Sequence, residues 1–190
     1  MDNTKSKLPP QLFCPRHMRE LKPYIEPVIN DWVKPHGGLW TSTYTPDEKY
    51  CSDWIVWCVR EEMYEWVSDS CYILYPNPDA KILTIDSKED LKRVIDQYHI
   101  VKNGKKYLDY ERISKDFDAI HLTERGQWDT RLLEPNLYGW DCESTLWFRN
   151  KFLGAIPIEK DENKICLYGS NAVENHKKEC RIEFEDDIIE

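Results

Sequence analysis

One domain of mixed α and β structure, with split antiparallel β-sheets and helices around them, is what this sequence predicts. Three observations lead there. The length, 190 residues, suits a single domain with its own core. Short runs rich in β-branched and aromatic residues, at 39–44 and 81–85, are bounded by Gly and Pro. Helical periodicities lie between such runs, but strands and helices do not alternate in the rhythm of a parallel βαβ sheet.

Taken in order, residues 1–12 are polar around a Pro9-Pro10 pair. They read as the core of a loose arm over 1–20, ahead of a domain at 21–158 and a polar acidic tail at 159–190. Pro23 and Pro27 rule out a long helix in 21–32. Residues 34–45, KPHGGLWTSTYT, read as a turn feeding a strand. A helix is expected over 47–66, with Trp54, Trp57, Cys58 and Val59 on one face and Asp53, Arg60 and Glu61 toward the other. Strands follow at 69–74 and 81–85. Ser87 and Asp90 resemble a capping box, and Leu91, Val94, Ile95 and Tyr98 continue at helical spacing. Asn103-Gly104 marks a turn. A short helix is expected at 109–117 with Tyr110, Ile113 and Phe117 on one side, then a strand at 119–122 and a central strand over 140–148, WDCESTLWF. From Glu174 onward seven acidic and three basic residues mark a solvated or disordered end.

Composition narrows the function. A net charge of −9 opposes general coating of nucleic acid. No run of 18 apolar residues occurs, and no apolar stretch backs the N-terminal lysines, so the expectation is a cytoplasmic protein with no membrane contact. Seven cysteines, odd in number and without a C-x-x-C pair, read as reduced thiols. Cys14 and His17 have no matching second pair, so no metal is expected. Eight Trp and eleven Tyr suit a core, an interface or a wall that stacks on a flat ligand.

Two segments carry chemistry. In the first, Lys34, Pro35, His36, Gly37, Gly38, Leu39, Trp40, Thr41 and Ser42, paired glycines allow close approach of a ligand, and backbone groups near a strand end can pair with an amide. Trp40 offers a flat face, and Ser42 and Thr43 offer hydroxyls. The same pattern also fits an ordinary turn before a strand. In the second, Asp141 and Glu143 stand two apart, and on a strand they share a face. Two carboxylates there need partners or a wet cleft. Such a carboxylate can hold a ribose hydroxyl and stabilise oxocarbenium charge. An edge strand with one wet face fits equally. His121, at a strand end, is a candidate general base or a structural histidine.

The segments KPHGGLWTS, Ile85-Asp86, DFDAIHL at 116–122 and GWDCESTLWF together resemble a family of small bacterial and phage-borne proteins with the ADP-ribosyltransferase fold. The resemblance covers scattered blocks in residues 30–150. It implies an ADP-ribosyltransferase-like domain with NAD as substrate and Glu143 as the catalytic acid. Asp141 would be the acid two before it, and Lys34, His36, Gly37, Gly38, Leu39, Trp40 and Ser42 would lie on the NAD side. It also implies a macromolecular acceptor, RNA or protein, a toxin or anti-phage effector role, and an antitoxin or other inhibitory protein as partner. The first strand carries no Arg of the toxin type and no His-Gly-Thr, and Thr41-Ser42-Thr43 stands where a Ser-Thr-Ser would. A non-catalytic interaction protein and an NAD glycohydrolase are the other readings.

Overall fold

The computed structural model describes residues 8–15, 21–22, 24–31, 34–46, 50–63, 66–67 and 70–159. His17 and nearly all of the expected acidic tail lie outside them. Among the described residues nine strands and four α-helices make a mixed α and β fold. The strands are β1 (Gln11–Phe13), β2 (Leu39–Thr43), β3 (Ser70–Pro76), β4 (Ile82–Ile85), β5 (His99–Lys102), β6 (Lys105–Leu108), β7 (Ala119–Leu122), β8 (Ser144–Trp147) and β9 (Phe152–Glu159). The helices are α1 (Asp53–Arg60), α2 (Lys88–Gln97), α3 (Tyr110–Asp116) and α4 (Glu124–Thr130).

Seven strands join in one sheet of order β4-β7-β8-β2-β1-β3-β9, and β5-β6 form a separate hairpin. The sheet differs from the expected pair of antiparallel sheets in two ways. It is continuous, and β4 and β7 run parallel, because α2, the hairpin and α3 carry the chain from β4 back to the same end before β7 starts. Continuity passes through β2 alone. Leu39, Trp40 and Thr41 pair with Trp147, Leu146 and Thr145 of β8, whereas Ser42 and Thr43 pair with Leu12 and Gln11 of β1. The strand changes partners halfway along its length.

β1 also corrects the expected 1–20 arm. Gln11–Phe13 lie between β2 and β3 in the sheet. Leu12 is buried against α1 and β3, so three residues in a polar context become core by pairing on both sides.

Local signals explain the helices. The Ser52 side chain caps α1 by accepting from Ile55 N–H, and Ile55 and Cys58 are fully buried. α1 is shorter than the expected 47–66 helix. Ser87 caps α2 as expected, while Asp90 returns a bond to the Asp86 N–H. Thr123 caps α4. Leu91, Val94 and Ile95 of α2 and Tyr110 and Ile113 of α3 pack on Ile85, Ile120, Leu122 and Leu146 of the sheet. Trp54, Trp57 and Trp66 stack on one another beside the β1–β3 core, with ring centroids 5.2–6.1 Å apart. Trp147, Phe152, Leu74 and Ala119 form the opposite layer. No helix among the described residues is long and apolar enough to cross a membrane.

Gly37 and Gly38 both adopt positive φ, +74° and +67°. A Cβ on Gly37 would lie 2.2 Å from the Pro27 carbonyl oxygen, and one on Gly38 would lie 2.3 Å from Leu146 Cδ1. The glycine pair is therefore required by packing. Gly104 has the same φ, +75°, in open space. Gly104→Ala is expected to cost about 1 kcal/mol from backbone conformation alone. Gly37→Ala carries that cost plus a clash with backbone that cannot swing away. It should lose at least about twice as much in urea denaturation. Equal losses would refute the packing account.

Candidate functional site

The change of partner along β2 creates the site. Its ladder with β8 ends at Thr41 and Thr145. Beyond that point the Thr43 N–H has no strand partner on the β8 side, and a buried donor must find another acceptor. It donates to Glu143 Oε2 at 2.9 Å. Ser42 Oγ donates to the same oxygen at 2.8 Å, and Thr43 Oγ1 donates to Oε1 at 3.0 Å. Glu143 is 7% exposed and plugs the seam where β8 begins. Burial pushes its pKa up, while these three bonds hold the ionised form and oppose the rise.

A row of polar side chains continues from the seam across the sheet. His121 of β7 pairs in register with Thr145 of β8, and its Nδ1 lies 2.9 Å from Thr145 Oγ1. Thr41 Oγ1 donates to Gln11 Oε1 at 2.8 Å and accepts from Trp147 Nε1 at 3.0 Å. His121 Nδ1 also approaches Glu143 Oε1 at 3.5 Å. This contact is not an ion pair: burial lowers the His121 pKa from 6.5 to about 4, so the ring is neutral near pH 7. The unfolded chain therefore binds a proton that the folded chain refuses. Stability from this group is full above pH 6.5 and is lost as pH falls toward 4, on the order of 3 kcal/mol in all. Glu143 acts in the opposite sense, because its raised pKa favours folding at low pH and that contribution fades as pH rises. Urea midpoints measured from pH 7 to pH 4 should fall for the native chain and fall less for His121→Gln. Parallel curves would show that His121 does not set this dependence.

Beside the seam lies a cavity of about 380 Å³. Four consecutive β2 residues, Leu39, Trp40, Thr41 and Ser42, line it together with Lys34, Gly38, Trp54, Trp140 and Ser144. Trp40 meets Trp140 edge to face, with centroids 4.8 Å apart. Lys34 Nζ stands 4.9 Å from the Trp40 ring centroid and donates to Asp141 Oδ2 at 2.9 Å. Asn150 also lines the cavity, and its Oδ1 is buried without a hydrogen-bond partner. Lys34, Gly38, Leu39, Trp40 and Ser42 thus line one cavity.

The other expected site residues stand elsewhere. The His36 side chain is 76% exposed and faces Asp31 at 3.1 Å. Gly37 packs on Pro27 and does not line the cavity. Asp141 and Glu143 do not share the face of a strand. Trp140 closes a short 3₁₀ turn (Tyr138–Trp140), and β8 begins only at Ser144. Asp141 between them has φ +68° and ψ −49°, a γ-turn closed by Cys142 N–H donating to the Trp140 carbonyl at 2.7 Å. The strand-forming residues of WDCESTLWF do not extend the strand N-terminally: the chain turns at Asp141 and β8 begins at Ser144. Asp141 instead anchors Lys34. Cys142 is buried, its thiol pKa pushed up by burial, as an inert core thiol would be. Among the described residues no group of three or more His, Cys, Asp or Glu side chains is placed to hold a metal ion.

Sequence reasoning named Thr43 beside Ser42 as a hydroxyl and missed Gln11 and Thr145. A hydroxyl inside a strand was the signal for Thr145, since buried hydroxyls require partners. Nothing local marks Gln11, which depends on β1 being central.

Comparison of the chain with protein-family models, with curated proteins and with solved structures finds no match.

Proposed function

We propose that this chain is an NAD-dependent ADP-ribosyltransferase that modifies a macromolecule, with Glu143 as its catalytic carboxylate. One observation carries the reading: a buried carboxylate, held by Ser42 and Thr43 where β2 leaves β8, is bonded to Ser42 and followed by Ser144, both of which line a cavity with aromatic walls, although Glu143 itself does not line it. The order of the parts, a Gly-Gly turn, an LWTST strand and a late acid-x-Glu, follows the resemblance described above.

In this reading Trp40 and Trp54 offer flat faces to NAD, and Lys34 offers its diphosphate a cation. The free Asn150 Oδ1 is an acceptor suited to a carboxamide N–H. The bond from ribose C1′ to the nicotinamide nitrogen breaks and nicotinamide leaves with the electron pair. Glu143 then faces a cationic sugar, which favours the ionised carboxylate against the pull of burial. A nucleophile of the acceptor bonds to C1′ and releases its proton. Water in the acceptor's place would make the chain an NAD glycohydrolase. A role as a cytoplasmic toxin or anti-phage effector, restrained by an inhibitory protein, extends the same proposal.

The test is incubation of the chain with NAD labelled on the adenylate phosphate in a cell extract. Label in a macromolecular fraction supports transfer, and its removal by RNase or by protease names the acceptor class. Free ADP-ribose alone would mean hydrolysis, and unconsumed NAD would refute the reading. A non-catalytic interaction protein is the second reading, favoured by the exposure of Trp128, Leu132 and Tyr138.

A further inference from the structure

Those exposed side chains form a surface with an unusual composition. Trp128 is 60% exposed, Leu132 93% and Tyr138 55%. Arg131 lies between the two rings, its guanidinium 5.2 Å from the Trp128 centroid and 4.6 Å from that of Tyr138. Arg60, Arg93, Arg125 and Arg149 each pair with a carboxylate, on Glu61, Asp90, Asp86 and Asp118. Arg131 has no carboxylate partner among the described residues. Aromatic faces fix a guanidinium while leaving its N–H edges free, and those edges suit a carboxylate. The surface therefore asks for an occupant that brings carboxylates and large apolar side chains together.

The chain itself contains such a segment. Residues 182–190 read Ile-Glu-Phe-Glu-Asp-Asp-Ile-Ile-Glu: five carboxylates, four large apolar side chains and no cation. A segment selected only to stay solvated has no use for Phe184, Ile188 and Ile189. Reach is sufficient. The 22 residues between Glu159 and Ile182 can span up to about 70 Å when extended. The sheet from β9, where Glu159 ends, to β4 at the other edge is roughly 29 Å across.

We propose that residues 182–190 dock on the Trp128–Arg131–Tyr138 surface of the same chain, carboxylates on Arg131 and apolar side chains on the two rings and Leu132. The position gives the contact a consequence. Gln127 of α4 donates from Nε2 to the Asp141 carbonyl at 3.4 Å, and Tyr138 opens the turn that leads to Glu143. A docked segment would brace the element that presents the candidate site. The proposal stands on surface composition and does not depend on the NAD reading.

The experiment uses the full chain with a photo-crosslinking benzoylphenylalanine at position 184. After irradiation the crosslinked peptides are mapped by mass spectrometry, with a mixture of isotopically light and heavy chains to separate links within one chain from links between two. The expected result is a link within one chain to residues 126–138. Its yield should fall roughly tenfold in Arg131→Glu and in Leu132→Glu, the latter at a position too exposed to disturb the fold. Asp186→Lys with Asp187→Lys should restore the yield on the Arg131→Glu background. Links elsewhere, or a yield unchanged by both substitutions, would overturn the proposal. Links only between two chains would also overturn it and make a second copy the occupant. The absence of any link would leave the surface to an external partner and overturn it equally.

Discussion

Glu143→Gln is expected to abolish most NAD turnover, a loss of a hundredfold or more, while the protein stays folded. A hundredfold corresponds to about 2.7 kcal/mol of barrier, a typical cost for removing one preorganised electrostatic group from a reacting centre. The geometry explains why folding should survive. The Gln oxygen can accept from Ser42 Oγ and Thr43 N–H, as Oε2 does now, and its amide can donate to Thr43 Oγ1 where Oε1 now accepts. The Ser42 hydroxyl and the Thr43 N–H keep their acceptor, and the burial cost of a carboxylate disappears. Thermal midpoint and nicotinamide release, measured on the same preparation, separate the two effects. Near-native release from folded Glu143→Gln would show that the seam carboxylate is structural, and the interaction-protein reading would gain. Unfolding of the variant would mean that the charge itself holds the seam together.

Trp147→Ala is expected to have the largest effect on stability, about 3–5 kcal/mol, enough to unfold a marginal domain at 37 °C. Trp147 is fully buried on β8, between Leu39 of β2 and Ala119 of β7 in register. Its ring packs on Phe152 with centroids 4.5 Å apart, and its Nε1 donates to Thr41 Oγ1. The truncation therefore opens a cavity between β8 and β9 and frees a hydroxyl of the buried polar row. Trp147→Phe keeps most of the volume and loses only the hydrogen bond, so it should cost about 1–2 kcal/mol. Urea denaturation of the pair measures both. Equal losses for Ala and Phe would place the whole effect in the hydrogen bond and refute the packing argument.

The sequence was most legible where one local signal decides the outcome. The cap at Ser87 and the Asn103-Gly104 turn act within a few residues, and the structure has the corresponding helix and hairpin. The Leu91, Val94 and Ile95 stripe needed only some apolar partner, and the sheet provided it. The site was partly legible for the same reason. Lys34, Gly38, Leu39, Trp40 and Ser42 are neighbours in the chain, so one turn and one strand bring them to a single cavity.

Alone, then, the sequence determined a mixed α and β fold, the starts of α2 and α3 and the cluster of residues along β2. Tertiary structure decided the rest. It decided that Gln11–Phe13 form an inner strand, because β2 and β3 need a neighbour between them. It decided that Asp141 leaves the strand and takes Lys34 while Glu143 enters the seam, because β2 exchanges β8 for β1 after Thr41 and leaves the Thr43 N–H to be satisfied. Strand pairing joins residues that are on the order of a hundred positions apart in the chain. A local pattern can state that a segment will pair, but only the assembled sheet fixes with what, and at which residue the pairing stops.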